Sequence, residues 1–213
     1  MKLNLQILSS AYLLGEQNIQ NLHTKELVPK MVIRRRLTRA AKLLIELCDK
    51  IGFEDGRIIC GSAYGELEVS ARILNSIKDG EPISPTDFQN SVFNTAVSYL
   101  SILNNNKNEI LTVSSGANTA KAVLKTGAIK ALDQDELLLV CFETMDIDKI
   151  QEVNRCVKYL ESAVALRVRL SKEKANITVE KSKTKGVSDS ISELLHVAQT
   201  AQNIKDPILE VEI

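Results

Sequence analysis

The chain opens on an alternating pattern. In Lys2 to Leu8, KLNLQIL, the apolar residues Leu3, Leu5 and Ile7 fall on one side of an extended backbone and predict a strand. Ser9 to Pro29 loses that period, contains Gly15 and a polar stretch, and reads as a loop. From Arg34 to Lys50 the period becomes helical: Leu37, Ala40, Ala41, Leu44, Ile45 and Cys48 recur along one face, and Gly52 follows as a stop. Arg57 to Ala63, RIICGSA, is a β-branched run that predicts a strand, and Tyr64-Gly65-Glu66 leads from it into a helix ending near Lys78.

Asp79-Gly80-Glu81-Pro82 is a turn, and Ser84-Pro85 provides a cap and a first helical position for a helix over Thr86 to Leu103. Phe88, Val92, Phe93, Ala96, Val97, Leu100 and Ile102 cover so much of its circumference that burial on more than one side is expected. Asn104 to Asn108 ends it. Glu109 to Ser114 is a short β-rich run, Ser115-Gly116 is turn chemistry, and Ala117 to Leu132 is a helix of small residues with Lys121 and Lys125 facing outward. Leu137 to Phe142, LLLVCF, is the unbroken apolar run of a central strand covered on both faces. Glu143 to Tyr159 is a connector with a helix near Ile150 to Tyr159. Ser162 to Leu170 and Asn176 to Lys181 alternate like a hairpin around Ser171 to Ala175. Lys181 to Lys185 reads as a linker to an amphipathic helix, Ser188 to Gln202, with Ile191, Leu194, Leu195 and Ala198 on one face, and a short tail from Pro207 to Ile213.

Composition narrows the picture. A chain of 213 residues, 44% hydrophobic, can bury a full core as one domain or one domain with an appendage. Its 27 basic and 27 acidic residues cancel, which argues against a dedicated nucleic-acid or membrane-surface protein. With no Trp and 4 Phe there is little aromatic surface for stacking on single-stranded nucleic acid. The cysteines at 48, 60, 141 and 156 form no CxxC pair and mostly sit in apolar runs, so they read as reduced core residues, which fits the cytoplasm. MKLNLQILSS lacks the long apolar core of a signal peptide, and no window approaches the ~20 apolar residues of a membrane span. No residue pattern calls for a metal or a cofactor.

Candidate chemistry concentrates where the strand Glu109 to Ser114 breaks into the helix. A sharp strand-to-helix turn places its residue at a helix N-terminus, where unpaired N–H groups lower a thiol pKa or hold an oxyanion. Here that turn holds Gly116, Ala117 and Asn118 and no cysteine. Gly61 and Gly65 are spaced like part of a phosphate cradle, but Glu66 and Glu68 would fall in the first turn of the following helix and repel a phosphate, so a tight turn is the better account. His23 lies in the first loop and His196 beside the apolar stripe of the last helix; neither context points to catalysis. The one dense basic run, Lys30, Arg34, Arg35, Arg36, Arg39 and Lys42, is either a solvated helix face or a docking site for an acidic partner such as an acyl carrier protein, met by Arg34, Arg35, Arg36 and Arg39.

Several ordered segments carry a resemblance. SPTDFQNSVFNTAVSYLSILNNNKNEILTVSSGANTAKAVLKTGA, with Asn94 and Ala96, resembles the part of β-ketoacyl synthases in which a Ser-Pro-led helix precedes the nucleophile strand. Upstream, IRRRLTRAAKLLIELC and RIICGSAYGELEVSARIL look like the first helix and second strand of that family's N-terminal half. The similarity runs over about residues 30 to 180 and is greatest to the ketosynthase-like group that includes chain length factors of aryl polyene and flexirubin type pathways.

The resemblance implies an α/β thiolase-like half fold: a five-stranded mixed sheet covered by helices over residues 1–183, followed by a C-terminal amphipathic helix and tail over 184–213. It implies that the strand Glu109, Ile110, Leu111, Thr112, Val113 and Ser114 pairs edge to edge with a partner ketosynthase. It further implies that residues of the preceding helix, Phe93, Ala96, Val97 and Leu100, line an acyl tunnel, although an apolar stripe is equally what core packing produces. Family enzymes carry a cysteine within a Thr-Ala-Cys-Ser type sequence at the elbow, and Ala117 stands in its place, or Ser115 if the alignment shifts by two. The two catalytic histidines belong to the second half of a full ketosynthase, so this chain is expected to be a non-catalytic subunit. Two other expectations remain open: a small acyltransferase or hydrolase using Ser114 or Ser115, and a homodimeric acyl-binding module.

Overall fold

The computed structural model describes residues 1–133, 135–150, 157–179 and 184–213. In chain order the elements are β1 (Lys2–Gly15), α1 (Thr24–Leu27), α2 (Met31–Arg34), α3 (Arg39–Ile51), β2 (Arg57–Gly61), α4 (Leu67–Asp79), α5 (Pro85–Asn90), α6 (Thr95–Asn104), β3 (Ile110–Val113), α7 (Thr119–Lys130), β4 (Leu137–Thr144), β5 (Glu161–Ser171), β6 (Ile177–Thr178), α8 (Asp189–Ala201) and β7 (Ile208–Glu212). Seven strands make one mixed sheet in the order β3-β2-β4-β5-β1-β7-β6, where five were expected. β3, β2 and β4 run parallel, β5 is antiparallel to both β4 and β1, β7 is antiparallel to β1, and β6 is parallel to β7.

The apolar periods explain the layers. In β4 every residue is buried, and alternate side chains go to opposite faces: Leu139 and Cys141 meet α7 and α8, while Leu138, Val140 and Phe142 meet α3 and α6. Each fully buried Leu or Ile contributes about 1.5–3 kcal/mol, so this doubly covered strand is the axis of the core. Helix α3 begins where Thr38 Oγ1 accepts from the Ala41 N–H at 3.2 Å and ends at Gly52. Helix α7 lies close on the sheet at two glycines: a Cβ on Gly61 of β2 would come 2.5 Å from Val123 and 2.8 Å from Thr119, and one on Gly127 of α7 would come 2.4 Å from Leu139.

Several expectations are corrected. Strand β1 does not stop at Leu8. A bulge between Ile7 and Ser9 shifts its phase, after which Ser9 to Gly15 continue paired with β5, so the lost alternation was a register shift and not a loop. Thr24–Leu27 is a further turn of helix inside the stretch read as irregular. The single helix expected over Thr86 to Leu103 is two, broken at Ser91–Asn94, where the Ser91 hydroxyl donates to the Phe88 carbonyl at 2.9 Å in competition with the backbone. Burial on several sides does not occur: Phe88 and Ile102 are 70% and 69% exposed.

The expected hairpin fails because β5 already has β4 on one side and β1 on the other, so the chain beyond it pairs elsewhere, as β6 against β7. The presumed tail is β7, held on β1 from Lys2↔Glu212 to Gln6↔Ile208. The C-terminal segment therefore supplies one covering helix and one strand of the common sheet. The helix expected near Ile150 to Tyr159 and the Lys181–Lys185 linker fall largely on 151–156 and 180–183, outside the described residues, as does Cys156.

Candidate functional site

The site is built where β3 breaks into α7. After Val113 the chain passes through Ser114 and Ser115 into a tight 3-10 turn, Gly116–Asn118, and then enters the helix. The Asn118 N–H donates to the Ser115 carbonyl at 3.0 Å, the Ser115 N–H to Thr119 Oγ1 at 3.1 Å, and that hydroxyl to the Gly116 carbonyl at 2.7 Å. Gly116 has φ of +53°, in the left-handed region that a side chain occupies only at a cost. Ser114, Ser115, Gly116, Ala117 and Asn118 are all exposed. The residue at the strained corner is thus Gly116, with Ala117 one step along the turn.

Gly116 and Ala117 form one side of a cleft of about 510 Å³, with Ala63 and Tyr64 beside them and Gly186 to Ser190, at the start of α8, opposite. Beneath it lies the buried carboxylate of Glu143, at the end of β4. Glu143 Oε1 accepts from the Ala63 N–H at 2.7 Å and from the Ser190 hydroxyl at 2.6 Å; Oε2 accepts from the Ser62 hydroxyl at 3.0 Å and the Tyr64 N–H at 3.3 Å. Burial pushes this carboxyl above its ordinary value, and the hydrogen bonds pull the other way. In the sequence Glu143 opens a connector, and only the fold brings residues 62, 143 and 190 together.

Among the described residues Ser115 is held through its backbone, its N–H donating to Thr119 Oγ1 and its carbonyl accepting from the Asn118 N–H. The cleft is lined by neither histidine. His23 Nδ1 is 2.9 Å from the buried Glu46 carboxylate, and that hydrogen bond raises the His23 pKa. His196 is half-buried on α8, as its place beside the apolar stripe suggested. Cys48, Cys60 and Cys141 are buried, and burial pushes the Cys48 thiol up to about 12 and the other two higher than their ordinary value as well. Among the described residues no group of three or more His, Cys, Asp or Glu is placed to hold a metal ion, and no helix is long and apolar enough to cross a membrane.

The remaining candidates separate into those that face outward and those that do not. β3 is one of the two edge strands of the sheet and, among the described residues, pairs only with β2. The Glu109 and Val113 carbonyls accept from Ile58 and Ser62 on the β2 side, so by the two-residue period the N–H groups of Ile110 and Thr112 point away from the sheet. Glu109 itself is engaged within the chain, by Arg57 at 2.7 Å and Lys130 at 2.8 Å. Ala96, Val97 and Leu100 are buried against α3, and Phe93 is half-buried over Gly65, while Val92 and Phe88 are exposed. Arg34 turns inward to the carbonyls of Val28 at 2.8 Å and Pro29 at 3.2 Å. Arg39 pairs bidentately with the fully buried Glu161 and donates to the Ile19 carbonyl at 2.6 Å. Of the four arginines only Arg35 and Arg36 are exposed. Glu66, expected in the first turn of the helix, is instead its buried N-cap residue and accepts from Thr38 Oγ1 at 2.7 Å, which leaves Glu68 in the first turn of α4, paired with Arg72 at 2.8 Å.

A mixed sheet covered on both faces, with a strand-to-helix elbow at its edge, defines a thiolase-like α/β unit, here with no thiol at the elbow. The chain belongs to the family described as β-ketoacyl synthase, N-terminal domain, which matches residues 12–209. Among solved structures it is similar to a chain of the ketosynthase (ApeO) in complex with its chain length factor (ApeC) from Xenorhabdus doucetiae, at 20% identity and a TM-score of 0.68, covering 95% of this chain and 93% of that one. The ishigamide ketosynthase/chain length factor matches at 11% identity and a TM-score of 0.62, over 81% of this chain and 63% of that one. The noncanonical ketosynthase FabY from P. aeruginosa matches at 10% identity and a TM-score of 0.55, over 70% of this chain and 31% of that one. No curated protein matches.

Proposed function

We propose that this chain is a non-catalytic, chain length factor-like subunit that pairs with an active β-ketoacyl synthase in the cytoplasm, in polyketide or fatty-acid-like synthesis of the aryl polyene or flexirubin type. One observation supports the reading: the turn from β3 into α7, taken here as the family's elbow, has Gly116 at positive φ and Ala117 beside it with no thiol, and among the described residues no strand pairs with the outer edge of β3. A long-lived open edge invites pairing with another sheet, and Ile110 and Thr112 present the free donors for it. In the proposal the partner supplies the cysteine and histidines, and this chain supplies interface and wall. Of the candidate wall, Phe93 is the member within reach of a ligand from outside, with the exposed Val92 and Phe88 as its neighbours; Ala96, Val97 and Leu100 act through the core behind it. Contact with an acidic acyl carrier protein falls to Arg35 and Arg36, since Arg34 and Arg39 are committed inside the chain.

Co-expression with the ketosynthase subunit tests this. The expected result is a stable 1:1 complex that is lost in Thr112→Pro, because proline removes an outward-facing donor that the β2–β3 ladder does not use. Turnover of an acyl-thioester by the isolated chain, with acylation at Ser115, would overturn the proposal in favour of an enzyme.

A further inference from the structure

Tyr64 combines an exposed aromatic ring with an unusually constrained backbone. The residue is 52% exposed. Its N–H donates to Ser62 Oγ at 3.2 Å and to Glu143 Oε2 at 3.3 Å, the preceding N–H of Ala63 donates to Glu143 Oε1 at 2.7 Å, and the following N–H of Gly65 donates to Ser62 Oγ at 2.7 Å. Gly65 then takes φ of +59°, and a Cβ there would stand 3.0 Å from the Phe93 ring, so the loop is pinned from below as well. The Glu143 carboxylate, 1% exposed, is itself held from the far side of the cleft by Ser190.

The same loop adjoins the end of the edge strand on its inner side and, through Tyr64, lines the cleft with Gly116 and Ala117 of the elbow that follows that strand. The Ser62 N–H donates to the Val113 carbonyl at 3.3 Å, which ties the start of the loop to the last residue of β3. An aromatic side chain on a fixed backbone loses little freedom on association, and such rings supply a large share of interface energy. A rim residue on a mobile loop has neither property.

We propose that Tyr64 is an anchor of the interface formed along β3, that buried Glu143 is the residue positioning it, and that the occupant is the ketosynthase subunit pairing with that strand. The inference rests on the reading of the chain as a ketosynthase partner, and the experiment separates the two. The dissociation constant of this chain for the ketosynthase subunit is measured for wild type, Tyr64→Ala, Tyr64→Phe, Glu143→Gln, the Tyr64→Ala/Glu143→Gln pair and Thr112→Pro. Tyr64→Ala is expected to weaken the complex by about ten-fold or more, and Tyr64→Phe to hold near wild type. Glu143→Gln should weaken it too, and the pair should be no weaker than Tyr64→Ala alone, since a positioning residue has nothing left to position. Should Glu143→Gln not fold, Ser190→Ala, which removes one donor to the same carboxylate, takes its place. Wild-type affinity in Tyr64→Ala, additive losses in the pair, or an effect confined to self-association of this chain would each overturn the inference while Thr112→Pro still abolished the complex. An intact complex in Thr112→Pro would instead overturn the edge-pairing reading beneath it.

Discussion

Arg57 and Glu109 meet at the entrance to the edge strand, the guanidinium Nη2 2.7 Å from Oε2. Arg57 lies at the start of β2 and also reaches Asp133 at 2.7 Å, while Lys130 at the end of α7 holds the other oxygen of Glu109 at 2.8 Å. The hydrogen bonds from Lys130 and then Arg57 hold the Glu109 carboxyl below its ordinary value. Glu109 and Lys130 are partly open to water while the Arg57 side chain is mostly covered, and ion pairs that reach solvent stabilise little, so their effect is local: they fix where β3 begins relative to β2 and α7. Glu109→Gln is therefore expected to leave the melting temperature nearly unchanged while raising amide hydrogen exchange at Ile110 to Val113. Exchange confined to other strands would show that the clamp does not govern the edge.

The close approach of α7 to β2 makes a second prediction. A methyl group on Gly61 would meet Val123 at 2.5 Å, Thr119 at 2.8 Å and the Cys141 sulfur at 3.0 Å, all three buried. Val and Thr are stiff at χ1 and cannot swing aside without leaving their rotamers. Gly61→Ala should cost about 1–3 kcal/mol, the usual range for overpacking, read from the denaturation midpoint. A larger-to-smaller second change, Val123→Ala, should recover part of the loss in Gly61→Ala although it is destabilising alone. Independent, additive losses would place the strain elsewhere.

Glu66 makes stability depend on pH. It is buried beside Thr38, and burial raises its carboxyl pKa to about 7 from 4.5. Between those values the folded chain keeps a proton that the unfolded chain has released, so stability falls as pH rises through this window and the full penalty is present above about 7. The difference corresponds to a penalty of about 3 kcal/mol at most. Glu66→Gln keeps an acceptor for Thr38 without the buried charge. Its unfolding free energy is expected to match wild type near pH 4.5 and to exceed it at pH 8. A variant less stable than wild type at both pH values would mean that the ionised carboxylate is itself the favoured form.

How much of this was legible in the chain depends on whether the deciding interaction was local. Leu137 to Phe142 announced a doubly covered strand because burial on both faces needs only an apolar run, and α7 was visible because small residues and a turn bracket it. The bulge at Ile7/Ser9 could not be read from β1 alone, since it is defined by the partner strand β5. Likewise Pro207 to Ile213 has the composition of a tail, and becomes β7 only because β1 offers a free edge there. At the site, the elbow turn was readable in Ser115-Gly116, whereas the Glu143 carboxylate gathers donors from residues about 80 positions before it and 47 after it. The basic run is equally ambiguous by composition: Arg39 reads as part of a solvated helix face or of a docking site, and is in fact taken by Glu161, a residue 122 positions away.

The elbow also predicts what a restored thiol would do. Ala117 is exposed in the turn that opens α7, and the helix N-terminus favours a thiolate there. Cys48, Cys60 and Cys141 are buried with raised pKa values, so they compete poorly for an alkylating reagent. Ala117→Cys should thus gain one site of rapid modification by iodoacetamide over wild type at pH 7.5. Gly116→Cys should fold less stably by about 1–3 kcal/mol, because a side chain at φ of +53° is strained. Neither variant alone is expected to condense or hydrolyse an acyl-thioester beyond a single acylation, since His23 is paired with Glu46 and His196 does not line the cleft. Multiple turnovers by Ala117→Cys without a partner subunit would show that a base already serves this elbow, against the proposal of a non-catalytic subunit.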